Sequence, residues 1–411
     1  MKFRFIIFFF LVSCLAGAQN LKQGVWRGVL FLGDSKHDLI LPFNFNVNYI
    51  NHQPVIEILN ADEKITVDEV AFIGDSVNFK MPVFDTEFKT VLRNDTLHGY
   101  WYNHYRKEKN KIEFEAVFNN KNRFVTSAAP KVDFSGHYEV TFNQGLSSEY
   151  KAVGIFKQTG SKVTGTFLTE TGDYRFLEGS VQNSEMSLSC FDGSHAFLFF
   201  INTPNKTGKA DNLEGKVFYS ITGTESFIAK RNDKFKLKDP EAITILKNPN
   251  EKIYFTFSNT ENKKVSLADD KYKNKVVIIQ IMGSWCPNCM DESAYLAKVF
   301  DKYNSKGLEI IALAYEKTDD FEKAKNNVLR FRKRLKINYD VLITGLTGSK
   351  KAAESLPFFN SISAFPTTII LDRNHNVKSI YTGFSGPATG SEYVRYTEKT
   401  EHLIEQLLLK K

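Results

Sequence analysis

From Leu21 to about Phe124, apolar and polar residues alternate in short runs cut by the turn pairs Gly33-Asp34, Asn51-His52, Gly74-Asp75 and Asn94-Asp95. A period of two with such punctuation predicts antiparallel strands, and no 3.6-residue period is sustained. A second stretch, from about Val132 to Lys230, repeats the style. It opens with Phe134-Ser135-Gly136-His137-Tyr138, much as Val25-Trp26-Arg27-Gly28-Val29 opens the first. Its strand units centre on Gly165, Gly179 and Gly215, where bulges or bends are expected to curl the sheet. The reading is two related antiparallel β modules, each a barrel or sandwich, joined at Ser127-Ala128-Ala129-Pro130.

A linker from about Asn232 to Asn250 carries Asp239-Pro240 and Asn248-Pro249, and beyond it the pattern changes. Lys275 to Met282 and Leu308 to Tyr315 are near-continuous apolar runs, the mark of strands buried on both faces of a parallel sheet. Helical spacing fills Pro287 to Tyr303. A basic amphipathic helix is expected over Asp319 to Leu335, a strand over Tyr339 to Ile343 and a helix over about Ser349 to Asn360. Strands at Thr367 to Asp372 and Val377 to Tyr381, turning at Asn374-His375-Asn376, precede a final helix over Glu392 to Leu409. Strands alternating with helices and closed by a hairpin make an α/β sandwich. The expected division is a signal peptide over 1–18, β modules over 19–129 and 130–231, a linker over 232–250 and an α/β domain over 251–411.

Several domains also suit 411 residues, since a single core stops growing well before that length. The 36 Phe and 17 Tyr favour strands. A formal charge of +7 is spread through loops and helix faces, and no Lys/Arg cluster marks a nucleic-acid site. Lys2 and Arg4, the apolar run Phe5 to Val12 and Ala16-Gly17-Ala18 have the layout of an export signal, which places the protein in a bacterial periplasm or cell envelope. Leu11-Val12-Ser13-Cys14 also resembles a lipobox that would lipidate Cys14, but the small-residue site just beyond reads better. No later run reaches the roughly 18 apolar residues of a membrane span, so no transmembrane helix is expected in the mature chain.

Cleavage after Ala18 leaves three cysteines. Cys190 stands alone and reads as a buried apolar filler. Cys286-Pro287-Asn288-Cys289 lies where a buried strand turns through Gly283-Ser284-Trp285 into a helix. The thiolate is the attacking species, and a helix start favours negative charge on Cys286 through its dipole and unpaired N–H groups. A two-residue spacer puts Cys289 one turn on, able to resolve a mixed disulfide. Pro287 suits the first helical turn. A zinc half-site would need a second ligand pair that is not nearby, so no metal or other cofactor is expected.

These residues, together with Ala364-Phe365-Pro366-Thr367-Thr368 at the start of a strand, resemble the thioredoxin superfamily, in particular the TlpA/ResA-like reductases. The likeness covers about Val265 to Leu409. It implies a thioredoxin fold with a central α/β insertion between Cys289 and Pro366. It also implies a cis Pro366 and a groove in which Trp285, Pro287, the backbone of Phe365 and Gly383 meet an extended substrate. Gln280 falls where thioredoxin carries a buried Asp. Glu316 resembles an acidic residue near the thiols that would accept the proton of Cys289. Glu292 follows Cys289 by three as in the family, whereas Ser293 stands where many members have Pro.

The activity implied is a thiol-disulfide oxidoreductase, read as a reductase of protein disulfides recharged by a membrane electron-transfer protein. Two other readings stand beside it. One is a thiol peroxidase, which would want Thr and Arg around a single attacking Cys. The other is a client-binding role carried by the β modules.

Overall fold

The structure, a computed structural model, describes residues 21–33, 39–219 and 223–410. The expected export signal and Cys14 lie outside the described residues. The first module is a nine-stranded antiparallel sheet in which the first strand, Gly24–Leu32, pairs with the last, Lys111–Phe118. Its two edges, Glu63–Val67 and Glu69–Ile73, are consecutive in the chain and share no ladder, so the sheet is nearly closed. Asn51 and Asn94 turn their hairpins as expected: each, with the residue after it, takes a positive φ, the conformation that two-residue β turns require.

The second module is a closed barrel. Eight strands run from Gly136–Phe142 to Gly223–Arg231, closed where Tyr150–Thr159 pairs with Lys162–Thr169, and the two-residue strand Gly172–Asp173 folds over as a flap. The expected bulges at Gly165 and Gly179 are not there. The register runs unbroken past both, and a Cβ at either would strike the backbone of the neighbouring strand, at Ile155 and Ser187 respectively. These glycines serve close strand approach. Cys190 is fully buried in the barrel, as its filler reading requires.

Phe191, at the end of strand Glu185–Phe191, enters the core of the first module. Its ring lies 4.7 Å from Phe43 and 5.3 Å edge-on from Trp101. Arg123, just beyond the first module, donates to the carbonyls of Leu59 and Ser189, one in each sheet. The two modules are thus packed against each other.

The C-terminal region is a seven-stranded sheet with four helices: α1 (Pro287–Tyr303), α2 (Phe321–Leu335), α3 (Gly348–Ser355) and α4 (Ser391–Leu409). Val276–Met282 is central and buried throughout. It runs parallel to Leu308–Ala314 and antiparallel to Thr367–Leu371. One edge is a hairpin of three-residue strands, Thr256–Ser258 and Lys264–Ser266, too short to show a period in the sequence. The helix α3 ends five residues before the expected Asn360, because Leu356 precedes Pro357 and the clash with a proline ring drives it out of the helical region. Much of the expected linker is docked: Thr244 N–H donates to Thr382 Oγ1, and Lys247 N–H to the carbonyl of Phe358.

Candidate active site

The strand Val276–Met282 ends in a buried turn that delivers Cys286 to the start of α1. Glu316, at the end of the neighbouring strand, clamps that turn: its carboxylate accepts from Ser284 N–H at 2.8 Å and Ser284 Oγ at 2.7 Å. Cys286 is the N-cap of α1. Its sulfur accepts the N–H of Cys289 at 3.2 Å, taking up one of the amides a helix start leaves unpaired. The Cys286 thiol also donates to the carbonyl of Phe365 at 3.4 Å, and the Phe365–Pro366 peptide bond is cis, as the family likeness implies.

The two sulfurs have different surroundings. Cys286 is 6 % exposed and Cys289 is fully enclosed. Burial holds the Cys289 thiol well above its ordinary range, and the Cys286 sulfur and the Glu292 carboxylate push it further the same way. Glu292 lies one turn along α1 from Cys289, while Glu316 holds Ser284. Gln280, which replaces an acid in the strand, holds Glu292 instead: its Nε2 donates to Glu292 Oε2 at 2.8 Å, and Tyr396 Oη donates to Oε1 at 2.8 Å. Ser293 donates to the other end of the same amide at 2.9 Å.

Burial pushes Glu292 up to about 7, and its hydrogen bonds to Gln280 and Tyr396 only partly oppose that rise. A carboxyl raised on folding lends its stability below the unfolded value, near 4.5, and loses it as the pH climbs through 7. Relative to Glu292→Gln, the reduced wild-type protein should thus lose up to about 3 kcal/mol between pH 4.5 and 7. Urea denaturation of both proteins across that range measures it, and parallel curves would refute the assignment.

The groove residues come together, but the β modules cover them. Trp285 lies edge-on to Phe365, its indole N–H donates to the carbonyl of Tyr315 at 2.9 Å, and the Lys317 ammonium sits 4.2 Å from its ring centroid. Tyr105, from the first module, approaches the same ammonium at 5.8 Å. Ser194, from the second, donates to the Trp285 carbonyl at 3.2 Å. Pro287 is buried, and its carbonyl accepts from Arg175. Gly383 was expected on an open groove. Its φ of +77° suits glycine, and a Cβ there would come within 2.8 Å of the Thr171 carbonyl carbon, so the second module already occupies its outer face.

Arg175 is the centre of this docking. It is 1 % exposed and pairs with Glu63 of the first module, Asp192 of the second and Asp291 of α1. Burial pulls its guanidinium down, but the three carboxylates more than offset this and hold it above its ordinary value. Beside it, Asp173 accepts from Gly386 N–H at 2.6 Å, and its carbonyl accepts from Asn288 Nδ2 at 3.3 Å. Sequence reasoning missed Arg175, Lys317 and Tyr105, which sit in no motif. Glu292 carries a signal in the sequence, its spacing of three from Cys289, but that spacing by itself names no role.

Residues 247–395 match the Redoxin family. Thiol-disulfide oxidoreductase ResA of Bacillus thuringiensis subsp. konkukian is 29 % identical over 141 residues, which are 34 % of this chain and 73 % of that protein. The C-terminal region carries a Redoxin domain and is similar to the ResA thiol-disulfide oxidoreductases. ResA of Geobacillus thermodenitrificans is 28 % identical over 129 residues, 31 % of this chain and 66 % of that one. A solved thiol:disulfide interchange protein of the thioredoxin family from Chlorobium tepidum TLS is 19 % identical, with a TM-score of 0.29, and covers 39 % of this chain and 97 % of that structure. All of the ResA-like site described above lies inside the Redoxin match except Tyr396, one residue past its end, whereas Arg175, Tyr105, Thr171 and Ser194 reach the site from outside it.

Proposed function

We propose that this protein is an exported reductase of protein disulfides that works through the Cys286/Cys289 dithiol. The observation that carries the reading is the asymmetry of the pair: one sulfur capping a helix beside the Phe365 carbonyl, the other enclosed next to a buried carboxylate.

The Cys286 thiolate attacks one sulfur of a client disulfide, forming the Cys286–client bond and expelling the other client sulfur as a thiolate. Glu292 accepts the proton of Cys289, whose thiolate then attacks the Cys286 sulfur. The Cys286–Cys289 bond forms, the second client sulfur leaves as a thiolate, and each leaving sulfur takes up a proton. Two electrons pass from the dithiol to the client. With Glu292 at about 7, this second step speeds up as the pH rises through neutrality. Trp285, Pro287, Phe365, Pro366 and Gly383 are assigned to the substrate groove.

Re-reduction needs a two-electron donor, and for an exported enzyme the fitting partner is a membrane electron-transfer protein. The basic, apolar and small-residue order of residues 1–18 supports export, with cleavage after Ala18. The spacer Pro287-Asn288 lacks the His associated with strongly oxidising relatives, which supports the reducing direction. The reading requires a reduction potential near the thioredoxin value of about −270 mV, and a measured value in the DsbA range, about −120 mV, would reject it.

A further inference from the structure

The mouth of the second barrel opens beside the redox motif, into a cavity of about 730 Å³. Asn288 of α1, two residues from Cys286, forms part of its wall together with the Gly172–Asp173 flap. The chain advances about 3.3 Å per extended residue, so a polypeptide bonded to Cys286 reaches this mouth within a few residues.

The walls are aromatic. Tyr174 and Phe197 have ring centroids 4.9 Å apart, and His195 stacks on the far side of Phe197, also at 4.9 Å. On the other side stands Tyr150, whose hydroxyl contacts that of Tyr174 at 2.8 Å and donates to Glu225 Oε2 at 2.9 Å. The charge is lopsided. Glu225, Glu149 and Glu170 all face the cavity, and among the described residues none of the three has a Lys or Arg within ion-pair distance. The one ammonium in the lining, Lys151, is committed elsewhere, donating to Thr141 Oγ1 at 2.8 Å and Glu139 at 3.4 Å. Ring faces carry negative quadrupole potential, and a carboxylate without a counter-ion adds to it, so the chemistry here matches a cation on a flexible stem.

We propose that this cavity receives a lysine or arginine side chain of the client, a few residues from the cysteine that Cys286 attacks. The proposal rests on the protein-disulfide reading above and supplies its specificity: the redox domain performs the exchange, and the barrel selects disulfides flanked by basic residues. Anionic flanks are repelled by the same three carboxylates.

The test uses the full-length protein and three disulfide-bonded peptides that differ only in Lys, Met or Glu near the cysteine. The Lys peptide should be reduced with a kcat/KM about tenfold above the Met peptide, and the Glu peptide should be slowest. Glu225→Gln keeps an oxygen for Tyr150 Oη and should bring the Lys-to-Met ratio close to one. Because the readout is a ratio within one protein, a general loss of activity cancels. Glu170→Gln, on the exposed rim, should lower the ratio in part and guards against misfolding of the first variant. Equal rates for the three wild-type peptides, or a ratio unmoved in both variants, would overturn the proposal. Hydroxyethyl disulfide has no side chain for the cavity and reports the thiol chemistry alone. If the wild-type protein failed to reduce it, the reductase reading would fall rather than the specificity of the barrel.

Discussion

Replacing Cys286 by serine should reduce turnover of a disulfide substrate by about three orders of magnitude or more, because the hydroxyl is a far poorer nucleophile and, among the described residues, no other thiol is placed to substitute. Cys190 and Cys289 are both fully enclosed and both are held well above the ordinary thiol range by burial, so neither can take over the first attack. Cys289→Ser should behave differently. The first client thiol should be released at close to the wild-type rate, and the reaction should then stop at the Cys286–client disulfide. Non-reducing electrophoresis and mass spectrometry of Cys289→Ser would show a covalent adduct that reducing agent removes and that Cys286→Ser lacks. Steady turnover by Cys286→Ser would refute the assignment of the nucleophile. An absence of adduct from Cys289→Ser would refute the two-step exchange.

The second large effect concerns Arg175. Substitution by methionine keeps much of the apolar stem but leaves Glu63, Asp192 and Asp291 without the cation that all three share. Breaking a buried ion network from one side costs about 3–5 kcal/mol, most of it the penalty for charges left in low dielectric. Arg175→Met should thus lower the urea midpoint markedly at neutral pH. The deficit should shrink as the pH falls, since the stranded carboxylates can then protonate. Arg175 also donates to the Pro287 carbonyl next to Cys286, so loosening this joint should speed alkylation of Cys286, now only 6 % exposed. A midpoint within experimental error of wild type would show that docking does not depend on this residue.

These two predictions mark different kinds of legibility. The redox pair could be read because a buried strand, a short turn and a helix start are local features, and the sulfur chemistry follows from where Cys286 stands on that path. Phe365-Pro366 could be placed opposite only through the family likeness, since a proline at the start of a strand is ordinary by itself. The hydrogen-bond partner of Glu316 could not be read from the sequence, for a physical reason. Strand ends show which residues reach one end of the sheet, but not which of two buried carboxylates turns toward the resolving sulfur. Glu316 accepts from the Ser284 amide and hydroxyl, and the Gln280 amide holds Glu292.

The chain alone determined the β character of the stretch from Leu21 to about Lys230, the α/β character of the region after it and the thiol chemistry, because period, turn residues and helix-start electrostatics act over a few neighbouring positions. Only the tertiary structure decided that the modules interlock, with Phe191 in the core of the first and Arg175 tying both to α1. Only it decided that the redox groove is covered and that an aromatic cavity rimmed by carboxylates opens beside it. Those outcomes join residues more than a hundred positions apart, and what links them is burial of charge and aromatic surface in three dimensions, which leaves no period in the sequence.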